Sequence, residues 1–139
     1  MSVSAFDHPL LSGLLGDEEI APFFSAEAEI AEMLRFEREL AAAEGAEGVI
    51  PQDAAQHIVE QLPDFVLDMD KIRIATARDG TIGVEFVRQL REWLGPPYDL
   101  HVHFGSTSQD LVDTALVVRL RSILVILRDR LTVLRAKLG

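Results

Sequence analysis

An all-α fold is predicted by three features of the sequence. Apolar residues recur at three- and four-residue spacing through most of its length, no stretch alternates with the two-residue period of a strand, and Gly/Pro punctuation separates the helical stretches. At 139 residues the chain has the length of one domain, enough to bury about two-thirds of the surface its unfolded form exposes.

The stretch before Ser25, rich in Gly and Pro, reads as a loop. Ser25 then suits a helix N-cap, with Glu27 and Glu29 in a first turn where the helix dipole favours negative charge. Ile30, Met33, Leu34, Leu40 and Ala41 give this helix its apolar stripe, and Gly45 and Gly48 are its predicted stop signals. Val49-Ile50-Pro51 turns the chain into a shorter helix over about 51–61, closed by Pro63. A third helix is predicted to start at Asp68 or Asp70 and to carry Ile72, Ile74 and Ala75 up to a break at Asp79-Gly80. Helical spacing resumes with Ile82, Phe86, Val87, Leu90, Trp93 and Leu94, Phe86 and Trp93 being read as core, and Gly95-Pro96-Pro97 ends it. The segment from Asp99 to Phe104 is expected to run extended.

The last helix, Ser108 to Leu138, would be about 45 Å long at 1.5 Å per residue. On a helical wheel Leu116, Leu120, Ile123, Leu124, Leu127, Leu131, Leu134 and Leu138 make one broad stripe, with Val118 and Val125 roughly opposite. Two apolar faces on so long a rod imply that more chain or other subunits pack around it. Arg119, Arg121, Arg128, Arg130 and Arg135 form its polar strips, expected to be solvated or to pair between subunits.

Charge narrows the functional classes. With 23 acidic and 13 basic residues the formal charge is −10, which repels nucleic-acid phosphates and anionic membrane surfaces, so neither is an expected partner. There is no cysteine, hence no disulfide framework or thiolate metal site. The N-terminal stretch MSVSAFDHPLLSGLLGDEEI has neither the basic start nor the apolar run of a signal peptide, and the patch Ile123 to Leu127 is too short to span a bilayer. A soluble, cytoplasmic protein is expected.

The segment with chemical potential is His101 to Ala115, HVHFGSTSQDLVDTA. Gly105-Ser106-Thr107-Ser108-Gln109-Asp110 sets hydroxyl side chains at a helix start, where the first-turn amides have no intrahelical acceptor. Ser106 with Gln109, or Thr107 with Asp110, fits a capping box, and Gly105 lets backbone approach a ligand closely. A carboxylate can be held there by the hydroxyls and amides of Thr107 and Ser108. Helix capping alone also accounts for this local pattern. His101 and His103 point the same way if the segment is extended, but no carboxylate completes a ligand set, so no metal is expected. His57 is read as a surface or half-buried helix residue and His8 as a loop residue. Arg78 and Asp79 are weaker candidates to line the site.

The string H-x-G-x-T-S-x-D-x-x-D-T-A, present from His103 to Ala115, resembles the substrate-binding signature of the fumarase/aspartase superfamily. RFERELAAAEGAEGVIPQDAAQHI resembles that superfamily's early helix, Gly-x-Ile-Pro turn and second helix. FGSTSQDLVDTALVVRLR together with GDEEIAPFFS is most similar to the bacterial 3-carboxy-cis,cis-muconate cycloisomerases. Adenylosuccinate lyases, the alternative, carry a histidine after a Thr-x-Arg where this chain reads Thr76-Ala77-Arg78-Asp79-Gly80-Thr81.

The resemblance implies an N-terminal helical domain over residues 1–104, and a signature loop with the start of a central bundle helix over 105–139. It implies a site on a tricarboxylate small molecule in which His103, Ser106, Thr107, Ser108 and Gln109 meet substrate while Asp110, Asp113 and Thr114 hold the loop on its helix. It implies no cofactor and a homotetramer. The superfamily's Ser-Ser-x-x-Met-Pro-x-Lys-x-Asn loop, which carries the catalytic serine, is not in this sequence, so the expectation is an N-terminal piece that is catalytically incomplete alone. From a different class, a non-catalytic helical oligomerisation module would retain the signature only as a helix cap.

Overall fold

The computed structural model describes residues 4–6 and 8–139; residues 1–3 and 7, within the stretch read above as carrying no signal peptide, lie outside them. The described residues form six α-helices: α1 (Ser12–Leu15), α2 (Ala26–Ala46), α3 (Gln52–Gln61), α4 (Met69–Asp79), α5 (Gly83–Leu94) and α6 (Ser108–Leu138). Three 3-10 turns, Ala21–Phe24, Leu62–Asp64 and Tyr98–His101, lie between them, and no strand occurs among the described residues. The all-α prediction therefore holds. The start is not the plain loop expected, since α1 and the first 3-10 turn lie within it.

Most boundaries follow from the capping chemistry. The Ser25 side chain accepts from the Ala28 amide at the start of α2, and Asp68, rather than Asp70, accepts from the Lys71 amide at the start of α4. Gly80 and Gly95 close α4 and α5. Gly45 differs from expectation: α2 runs through it to Ala46, and the left-handed residue that ends the helix is Gly48, at φ 70°. Gly45 serves contact instead. A Cβ built there would lie 2.4 Å from the Ala55 Cβ on α3, so its absence sets how closely α2 and α3 approach. Alanine would gain about 1 kcal/mol of helix propensity at this position, but prising the helices apart costs about 1–3 kcal/mol. Gly45→Ala is thus expected to destabilise by up to about 2 kcal/mol in urea denaturation.

α2 packs against both α3 and α6, while α5 packs on α4, on α6 and on the 3-10 turn that leads into the signature loop. Met33, Ile58, Phe86, Leu90, Val102 and Leu111 are fully buried where these elements meet. Phe65 packs edge-to-face with Phe86 and Trp93, with centroids 6.4 and 5.4 Å apart. Phe86 is core as predicted, whereas Trp93 leaves much of its ring exposed.

The chain itself covers only part of the apolar surface of α6. The seam facing the domain is Leu111, Ala115, Arg119 and Ile123, a four-residue ridge. Of the predicted leucine stripe, Leu116, Leu124, Leu127, Leu131, Leu134 and Leu138 are between 37% and 80% exposed in the chain alone. Ile123 of that stripe is buried on the seam and Leu120 is half-buried, whereas these leucines are turned away from the chain's own core because α2 covers a different ridge. Arg119 is not on a solvated strip either. It is 6% exposed and donates to the Ala115 and Phe23 carbonyls and to the Glu29 carboxylate. The reason is spacing: Arg119 falls one turn after Ala115 on the packed ridge, and carbonyls and Glu29 supply acceptors there. Among the described residues no helix is long and apolar enough to cross a membrane.

Candidate functional site

Three anchors position the loop that precedes α6. Arg91 on α5 donates to the Val102 carbonyl at 2.9 Å through Nη2, and the Val102 side chain is buried. Tyr98 stacks on His57 of α3, ring centroids 3.8 Å apart, which half-buries both rings. His103 reaches Glu37 of α2, its Nδ1 lying 2.6 Å from Oε1, with the two side chains 8% and 1% exposed. The segment is consequently not the extended run expected for Asp99 to Phe104. It turns through a 3-10 helix at Tyr98–His101, and His103 sits at φ 56° in the left-handed region. Among the described residues no group of three or more His, Asp or Glu is placed to hold a metal ion.

Gly105, at φ 66°, makes the second left-handed step, which brings the chain over Glu44 of α2 and into the start of α6. Of the two capping boxes the sequence allows, Thr107 with Asp110 is formed. The Asp110 amide donates to Thr107 Oγ1, while the Thr107 amide and hydroxyl both donate to Asp110 Oδ2 at 2.9 and 2.7 Å. These bonds, those from the Thr107 hydroxyl first, hold the Asp110 carboxyl below the usual carboxylate range, with smaller contributions from His103 and Ser106.

The Thr107 hydroxyl is thereby committed to the helix. Ser108, the first residue of α6, is the hydroxyl beside the first-turn amides, of which the Ser108 and Gln109 N–H groups have no intrahelical acceptor. A second helix start adjoins it. A Cβ on Gly83, the first residue of α5, would lie 2.8 Å from the Ser108 Cβ and 2.9 Å from its Oγ, so α5 begins in contact with Ser108 only because residue 83 is glycine. Two helix starts, each an end that suits negative charge, thus meet at one place, with Asp110 and Glu85 already standing in their first turns.

The remaining sequence candidates are placed as follows. Ser106 is half-buried and contributes to holding the Asp110 carboxyl low. Gln109 donates to Asp113 at 2.6 Å along the exposed side of α6. Thr114 lines an open groove of about 270 Å³ between α6 and α2, with Phe36, Leu40 and Val118. Arg78 and Asp79 pair with each other at the α4 C-terminus.

Two residues here were not picked out by sequence, Glu37 and Glu44. The Glu44 Oε2 is buried without a hydrogen-bond partner among the described residues. Burial pushes its carboxyl above the usual range, the Glu37 carboxylate adds to that, and His103 opposes it. The signal for Glu37 was present in its spacing: it stands four residues from both Met33 and Ala41, inside the apolar stripe of α2, where a carboxylate requires a buried partner. Because the folded-state value is raised, ionised Glu44 is a penalty on stability that is full above that value and disappears as pH falls toward 4.5. Glu44→Gln is expected to add about 1 kcal/mol at neutral pH, with the gain shrinking on acidification, as read by urea denaturation over a pH series.

Comparison with known proteins identifies the family. Residues 18–138 match the family described as Lyase. Over 126 residues the chain is 32% identical to the 3-carboxy-cis,cis-muconate cycloisomerase of Acinetobacter baylyi, covering 87% of this chain and 28% of that one. Over 118 residues it is 35% identical to the adenylosuccinate lyase of Methanothermobacter thermautotrophicus, covering 84% of this chain and 26% of that one. The crystal structure of a fumarate lyase from Mesorhizobium superposes with a TM-score of 0.77 at 32% identity, over 82% of this chain and 27% of that one. The chain therefore spans little more than a quarter of the length of these relatives. With the family match extending from before α2 to the end of α6, the chain belongs to the lyase family of the fumarase/aspartase superfamily.

Proposed function

We propose that this chain supplies one wall of the substrate site of a 3-carboxy-cis,cis-muconate cycloisomerase, an intramolecular lyase acting in aromatic-compound degradation in the cytoplasm. The observation that carries this reading is the meeting of two helix starts at Ser108, on a loop bearing the complete His103-to-Ala115 signature. Free amides and a hydroxyl at converging positive dipole ends suit a carboxylate, and the substrate carries three. In the family reaction one carboxylate oxygen adds across a double bond while a proton reaches the neighbouring carbon, giving the lactone. The reverse removes a proton next to a carboxylate and expels a carboxylate oxygen, so negative charge develops beside a group that fixed donors can stabilise. No cofactor is required for this.

In this reading the Ser108 hydroxyl and amide and the Gln109 amide hold the substrate carboxylate, with Thr107 shaping the turn. His103 and Ser106 stand at its border, and Asp110, Asp113 and Thr114 support it. The catalytic serine loop, absent from these 139 residues, comes from another segment. The exposed leucine ridge of α6 packs in a homotetramer bundle, with the division between an N-terminal domain and the bundle helix at residues 104 and 105.

An adenylosuccinate lyase is the second reading, favoured by the 35% identity to the Methanothermobacter enzyme. It is opposed by Asp79-Gly80-Thr81, where those lyases have their histidine. Assay of the protein that carries this chain with both substrates separates them. Turnover of 3-carboxy-cis,cis-muconate alone is the expected result, and cleavage of adenylosuccinate without lactone formation would overturn it.

A further inference from the structure

The contact between Glu37 and His103 joins residues 66 apart in sequence and lies beneath the signature loop. Both side chains are almost wholly buried, and the 2.6 Å separation belongs to a charge-assisted hydrogen bond. His103 also holds a left-handed backbone that costs a non-glycine residue about 1–2 kcal/mol, so surrounding contacts must over-determine it. Helix α2 is fixed on both sides by α3 and α6, which makes Glu37 a rigid acceptor.

We propose that Glu37 is a positioning residue for His103: its carboxylate accepts the Nδ1 hydrogen, which selects the Nδ1–H tautomer, leaves Nε2 as the basic ring nitrogen, and locks the turn that carries Gly105 to Ser108. The hydrogen bond made by one imidazole nitrogen determines which nitrogen holds the proton. The neighbouring buried carboxyl, Glu44, is coupled electrostatically to both members of the pair. Phe36 closes another side of the imidazole, with ring centroids 6.4 Å apart.

This inference rests on the loop being the site wall described above only for its functional meaning; its test needs no substrate. Long-range 15N–1H correlation NMR of the 139-residue chain in mildly alkaline buffer reads the tautomer directly. The expected spectrum shows His103 Nδ1 protonated and Nε2 at the pyridine-like position. Glu37→Gln, whose amide oxygen still accepts, should keep that pattern. Glu37→Ala should lose it, with Nε2 moving toward the pyrrole-like position. An Nε2–H tautomer in the unsubstituted chain would overturn the proposal, as would an Nδ1–H signal that persists in Glu37→Ala with helix content unchanged. If Glu37→Ala does not fold, the unsubstituted chain and Glu37→Gln decide it. A chain that shows the expected tautomer but carries no carboxylate site would refute the functional reading and leave this one standing.

Discussion

Arg119→Leu is expected to lower the stability of the chain by about 3 kcal/mol, far more than any other single arginine replacement on α6. Removing one member of a buried pair leaves the partner without compensation, at a cost of about 3–5 kcal/mol. Three acceptors lose their donor here: the Ala115 carbonyl one turn back, the Phe23 carbonyl before α2, and the Glu29 carboxylate in the first turn of α2. The Glu29 side chain is 31% exposed and can rehydrate, which places the effect at the lower end of that range. Arg128, exposed and paired with the adjacent Asp129, serves as the control, since such a surface pair is worth about 0–1 kcal/mol. Urea denaturation of the two leucine variants makes the comparison. Equal losses would show that Arg119 does not tie the segment before α2 to α6.

What the sequence made legible was governed by local chemistry. The N-caps at Ser25 and Asp68, the break at Gly80 and the start of α6 are decided by side chains reaching backbone groups within a few residues, and each was readable. Three features were not, because long-range contacts decide them. Gly45 reads as a stop signal until Ala55 is known to lie against it. Arg119 reads as a surface charge until carbonyls from the other end of the chain arrive. The segment 99–104 reads as extended until Arg91 and Glu37 pull it into a turn at Val102 and His103.

The candidate site divides along the same line. The donors at the start of α6 follow from the Gly105-to-Asp110 spacing, and the signature string names the superfamily. That α5 starts beside Ser108, that Asp110 occupies the Thr107 hydroxyl, and that Glu37 and Glu44 lie beneath the loop all depend on how α2, α5 and α6 pack. The structure therefore shifts weight within the Thr-Ser pair. Thr107 is built into the cap, where alanine typically costs about 0.5–2 kcal/mol of stability, whereas the Ser108 hydroxyl lies where the two helix starts meet.

The most direct measurement is the steady-state kinetics of Ser108→Ala in the protein that carries this chain. A hydrogen bond to a charged group is worth about 1.5–3 kcal/mol, so kcat/KM is expected to fall roughly ten- to a hundredfold while the urea midpoint stays where it was. Thr107→Ala is expected to move the midpoint as well. Unchanged kcat/KM for Ser108→Ala, with folding intact, would contradict the carboxylate-site account and leave the signature as a helix cap in an oligomerisation module.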